Sequence, residues 1–103
     1  MSRSRRSEAV SIWLSHGLAD SLTTVAAYRA VGSSREANPV IRELLGFGEL
    51  ATVLVILLAV GLCALAWPTA ARSVRAPPAV ATGIVFVGMA VAGINTSVAL
   101  GWI

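Results

Sequence analysis

The sequence predicts an all-α integral membrane protein, a three-helix bundle with a short interfacial helix between spans one and two. Three observations predict it. The 103 residues are 56% hydrophobic and 13% charged, where a soluble domain carries about 25% charged residues. Two apolar runs pass without a charge, Leu50 to Trp67 over 18 residues and Val80 to Ile103 over 24. A third run, Ala9 to Val31, is long enough to span but carries Asp20 near its middle. Length bounds the chain to one domain, and the composition excludes a large soluble enzyme. The one cysteine, Cys63, sits in an apolar run and reads as a small hydrophobe, which excludes an internal disulfide framework and a Cys-based zinc site.

Residues 1–8 form a basic N-terminus with Arg3, Arg5 and Arg6. Span one is set at residues 9–31: Arg29 can snorkel at one end, Trp13 and Tyr28 sit near the two interfaces, and the remaining polar residues cluster on one side. Residues 32–48 make an outer loop with a short helix. There Asn38 can cap with its side-chain oxygen, Pro39 takes the first position where a missing N–H costs nothing, and Gly46 is the expected stop. Val40, Ile41, Leu44 and Leu45 share one face of that helix, opposite Arg42 and Glu43, so it is expected in the interface plane; a span two kinked at Gly46 and Gly48 is the alternative. Span two covers residues 49–67, since 18 apolar residues at about 1.5 Å each nearly match a hydrocarbon core of about 30 Å. Residues 68–79, with Pro68, Pro77 and Pro78, read as a short, stiff connection, and residues 80–103 as span three.

Orientation follows from arginine. Two spans separate Arg3, Arg5 and Arg6 from Arg72 and Arg75, which puts both groups on one side; opposite them Arg29, Arg35 and Arg42 are matched by Glu36, Glu43 and Glu49. The excess places the N-terminus and second loop in the cytoplasm of a cell-membrane protein and the C-terminus outside. Ser4-Arg5-Arg6 lacks the bulky apolar residues that follow a twin-arginine signal, and no cleaved leader is expected. Three arginines before a span signal topology or anionic-lipid contact, so no nucleic-acid partner is expected.

A carboxylate at the twelfth of 23 span residues is costly, about 2.5–3.5 kcal/mol on insertion scales. Such a group is retained where it faces other helices, water or a ligand. His16, Thr23 and Thr24 lie four before, three after and four after Asp20, which on a regular helix gives one polar face. In span three Gly88, Ala92, Asn95, Thr96 and Ala99 share a face that permits close approach, and Asn95 is the natural partner of Asp20. Glu36 and Asn38 follow closely enough to fold back as a lid. A neutral Asp20 donating to Asn95 or a threonine would lock the bundle; alternatively Asp20, His16, Thr23 and Asn95 hold a proton, a cation or a small polar ligand. His16 and Asp20 alone are too few to hold a metal, and no cofactor is expected. With no HExxH, no GxSxG and no second histidine, the chain is not expected to be an enzyme. Three spans make a thin bundle, so a homo-oligomer or an accessory role in a larger membrane complex is expected, with an oligomer that conducts protons or cations as the alternative.

Asp20-x-x-Thr23-Thr24 in a first span, then Glu36-x-Asn38-Pro39, a short helix ending in Gly and further spans, resembles the domain of unknown function 5658 family of small multi-pass membrane proteins from archaea and bacteria. The resemblance covers Leu18 to about Trp67, and the third span by hydropathy. It implies an integral membrane protein in which Asp20, Thr24, Glu36, Asn38 and Pro39 form one site. It supplies no activity.

Overall fold

A computed structural model describes residues 4–103, so the expectation for Arg3 lies outside the described residues. Among them every regular element is helical. Ser4 caps the first helix, its hydroxyl accepting from the backbone N–H of Arg6 and Ser7 at 3.2 and 3.5 Å. From there one continuous rod runs as α1 (Arg5–Ile12), a π-helical segment (Trp13–Ala19) and α2 (Asp20–Val31). The helix thus begins ahead of the span expected from residue 9, favoured by the Ser4 cap and Glu8 in the first turn. Gly32, at φ 81°, ends the rod.

A 3₁₀ turn (Ser33–Arg35) leads to α3 (Pro39–Phe47). Its start is the expected one: Asn38 Oδ1 accepts from Val40 and Ile41 N–H at 2.9 and 3.4 Å, and Pro39 opens the helix. Its end is not. Gly46 stays helical, and Gly48, at φ 138°, makes the break because α4 (Glu49–Ser73) starts directly after it. Residues 39–47 are therefore a separate helix, not a kinked start of α4. Leu45, 2% exposed, is the side chain by which α3 seats on the bundle.

Helix α4 also outruns its expected end at Trp67, carrying Pro68 inside it. Proline removes one N–H and crowds the preceding turn. Beyond it Ala71 is buried, so packing holds the last turns in place. The expected connection over 68–79 shrinks to residues 74–77, where Arg75 turns the chain at φ 53°. Pro78 opens α5 (Pro78–Ala99), which stops short of 103 in a glycine C-cap: Trp102 N–H donates to Ser97 O at 2.8 Å and Gly101 N–H to Val98 O at 3.1 Å, with Gly101 at φ 77°.

The long helices lie side by side in a slab of 45 × 27 × 17 Å. The first rod is the middle one: α5 packs chiefly on α2, α4 on α1 and the π segment, and α4 and α5 hardly touch each other. Two ring N–H groups pin it. Trp13 Nε1 donates to Leu57 O on α4 at 3.1 Å, and His16 Nε2 lies 2.6 Å from Ile84 O on α5; a carbonyl can only accept, so Nε2 carries the proton. Residues three apart share a face on an α-helix, and the wider π turn splays these two to opposite flanks. Each ring lies over a glycine four residues beyond the carbonyl it reaches. A Cβ at Gly61 would stand 3.3 Å from Trp13 Nε1, and one at Gly88 2.7 Å from His16 Cδ2.

Helices α4 and α5 are long and apolar enough to cross a membrane, and only 17% of either apolar stretch is buried. Leu65 and Phe86, at 78% and 74% exposed, typify their outer faces.

Glycine substitutions separate close approach from mere flexibility. Gly88→Ala is expected to destabilise by about 1–3 kcal/mol through overpacking, and Gly61→Ala by less. Gly83→Ala and Gly93→Ala, which meet nothing within 4 Å, should be neutral or raise the melting temperature through helix propensity. Thermal melts of the four purified variants test the ranking.

Candidate functional site

Directly after the π segment the 3.6-residue repeat resumes, and Asp20, Thr23 and Thr24 come onto the face of α2 that meets α5. Asn95 reaches across from α5. Its Nδ2 lies 3.3 Å from Asp20 Oδ1 and 3.2 Å from both Thr23 Oγ1 and Thr24 Oγ1. Thr23 Oγ1 donates to Ala19 O at 2.7 Å, and Thr24 Oγ1 to Asp20 Oδ1 at 3.5 Å. The amide orientation follows from chemistry: with those hydroxyl protons committed elsewhere, an amide oxygen here would face only acceptors. Two amide protons shared among three oxygens make a closed network that ties α2 to α5.

Of the expected members, Asp20, Thr23, Thr24 and Asn95 meet, and His16 does not join them by a hydrogen bond. Both His16 and Asp20 face α5, but the imidazole is committed to Ile84 O. Glu36 approaches from the loop. Its Oε1 accepts from Asn38 N–H at 3.2 Å, while Arg42 fixes the turn by donating to the Glu36 carbonyl at 2.7 Å through Nη2. A cavity of about 30 Å³ is lined by Thr24, Tyr28, Glu36, Leu45 and Asn95 among others, which joins Glu36 to the Thr24 and Asn95 side of the cluster. Asn38 stays outside it, its side-chain oxygen spent on the α3 cap. Thr96 is exposed and donates to Ala92 O within its own helix, which leaves Gly88, Ala92, Asn95 and the half-buried Ala99 of the expected face on α5. A space of this size takes a water or a bare ion, not an organic ligand.

A second polar cluster, not anticipated from sequence, closes the opposite end. Glu8 is 1% exposed; its Oε1 accepts from Arg5 Nη1 and from Trp67 Nε1, both at 3.0 Å. Arg5 Nη2 also donates to Ala76 O at 2.7 Å, so the start of the rod is tied to the α4–α5 link. The one signal in sequence is local, Glu8 three residues after Arg5; its decisive partner Trp67 is 59 residues away. At the other end Arg29 grips Glu49 through two bonds, 2.6 and 3.0 Å long. Among the described residues no group of three metal-ligating side chains comes together.

The family profile described as Domain of unknown function (DUF5658) matches residues 12–101, which takes in the π segment, the Asp20 cluster, the Asn38 cap and the whole of α4 and α5. No curated protein and no solved structure matches the chain.

Each cluster yields a stability test. Glu8→Ala leaves Arg5 and the Trp67 N–H short of their acceptor and is expected to cost about 1–3 kcal/mol. The Asn95→Ala/Thr24→Ala cycle should show a coupling of about 0.5–1.5 kcal/mol, the range of interhelical hydrogen bonds. Unfolding measured on single and double variants checks both.

Proposed function

The chain belongs to the domain of unknown function 5658 family, a membership that carries no chemistry, and from its own residues we propose a three-span integral membrane module. Its Asp20 cluster is a polar lock between helices, not a catalytic centre. The observation that carries this reading is the network of Asn95 with Asp20, Thr23 and Thr24: side chains costly in hydrocarbon are spent on one another between two helices.

Membrane placement is supported by the outward apolar faces of α4 and α5, which in water would be a large exposed patch. The first rod, the least apolar of the three, becomes tolerable as a span because both its flanks are covered. The cytoplasmic side is assigned to the end where Arg5 meets Ala76, since that contact gathers Arg5, Arg6, Arg72 and Arg75 at one pole. Opposite it, Arg29 is neutralised by Glu49. A thin slab with two bare faces is suited to assembly, as a homo-oligomer or as an accessory subunit of a larger membrane complex.

A second reading rests on the cavity that joins Glu36 to Thr24 and Asn95. Through it Asp20 is a site for a proton or small cation, delivered from the Glu36 side.

Asp20→Asn separates the two. An asparagine keeps an acceptor oxygen for Asn95 and Thr24, so a lock predicts a folded variant and unchanged flux in liposomes. Asp20→Leu should then cost roughly 1–2 kcal/mol. Loss of pH- or ion-dependent flux in a folded Asp20→Asn variant establishes the proton or cation site instead. Protein that fails to float with vesicles after an alkaline wash overturns the membrane placement itself.

A further inference from the structure

Between α1 with the π segment and α4 runs a groove of about 960 Å³. Its walls are apolar, with Val10, Leu58, Leu62 and Leu65 all well exposed, and its floor is Trp13, drawn in over Gly61. Arg5, Arg6 and Arg72 stand around the same groove. Their states differ. Arg5 is held by Glu8 and the Ala76 carbonyl, whereas Arg6 and Arg72 are exposed and make no ion pair among the described residues.

The same seam opens again at its other end, in a groove of about 730 Å³ lined by Leu22, Val25, Leu50 and Val53. There the charged pair is Arg29 with Glu49, already joined to each other. Two apolar grooves on one seam thus differ in charge: one carries a neutral pair, the other adds to the paired Arg5 the cations Arg6 and Arg72, which have no ion pair among the described residues. A ligand that fits the second has an apolar body and an anionic head.

We infer that the α1–α4 groove binds one anionic phospholipid, an acyl chain lying on Trp13 between Val10 and Leu58 and the phosphate meeting Arg6 and Arg72. The inference rests on the membrane placement proposed above and goes beyond it by making one lipid a specific ligand of one seam. Charge complementarity selects the occupant. Phosphatidylcholine offers the same phosphate, but its choline cation cancels the charge, so a net anionic headgroup is what neutralises the two guanidiniums; a second copy of this chain would bring the same positive pole to them. Guanidinium and phosphate suit each other through paired, charge-assisted hydrogen bonds. Arg5 acts as a positioning residue, since its bonds to Glu8 and Ala76 O fix the start of α1 and with it the place of Arg6.

Native mass spectrometry of the full chain, released from micelles holding equal amounts of phosphatidylglycerol and phosphatidylcholine with the same acyl chains, tests this. One retained phosphatidylglycerol is expected. In the Arg6→Ala/Arg72→Ala variant its preference over phosphatidylcholine should fall about 25-fold, about fivefold per guanidinium. Arg35→Ala/Arg42→Ala, at the opposite end, should leave it unchanged. Glycerophosphoglycerol, the same headgroup without acyl chains, should not displace the lipid at equal concentration. Equal retention of both lipids by the unaltered chain, a preference that survives loss of both arginines, or displacement by the bare headgroup overturns the inference. A groove occupied by a second copy would appear as a dimer without lipid, which also overturns it. Failure of the membrane placement is distinct, because it removes flotation with vesicles of every composition.

Discussion

The arrangement depends on two ring N–H groups three residues apart reaching carbonyls on two different helices. Trp13 reaches Leu57 O and His16 reaches Ile84 O, and each ring occupies the space that Gly61 or Gly88 leaves over the backbone. A helix carbonyl already engaged within its own helix keeps a second lone pair, so it can take such a donor without breaking the helix. The constraint is geometric. On a regular α-helix the two rings would crowd one flank; the π turn sends one to each side and makes the first rod the central member of the slab.

From that centre the polar groups fall into tiers. Glu8 with Arg5 and Trp67 closes one end, the rings hold the next level, Asp20 with Asn95 lies beyond them, and Arg29 with Glu49 closes the far end. Glu8 and Trp13 face α4 through Trp67 and Leu57, whereas His16 and Asp20 face α5 through Ile84 and Asn95. Both flanks are therefore fixed independently, which suits a bundle whose outer helices hardly touch.

What was legible in the sequence was what local spacing controls. Asp20, Thr23, Thr24 and Asn95 lie in stretches where the 3.6-residue period holds, so their meeting could be read off. Asn38 before Pro39 is a local capping signal and worked for the same reason. His16 shares the α5-facing flank with Asp20, but its partner Ile84 O is a backbone carbonyl 68 residues away, which residue type alone does not announce. Gly46 and Gly48 are equivalent as letters; the start of α4 decides which takes the positive φ. Pro68 reads as a breaker, yet the buried Ala71 beyond it carries the helix on. Glu8 shows only its i, i+3 spacing to Arg5, since its other partner, Trp67, is 59 residues away.

The position of the most polar helix in the middle has a physical rationale in the proposed membrane placement. Lipid tails are as apolar as leucine, so burying Leu against Leu gains little there, and helices associate through packing and interhelical hydrogen bonds. Helices α4 and α5 carry few donors of their own and satisfy their backbones unaided, which makes each stable as a separate span. The first rod is the reverse case. Its Glu8, Trp13, His16 and Asp20 find their partners on other helices, at Trp67, Leu57, Ile84 and Asn95. The features that make it a poor span alone are the same ones that make it the element on which the other two assemble.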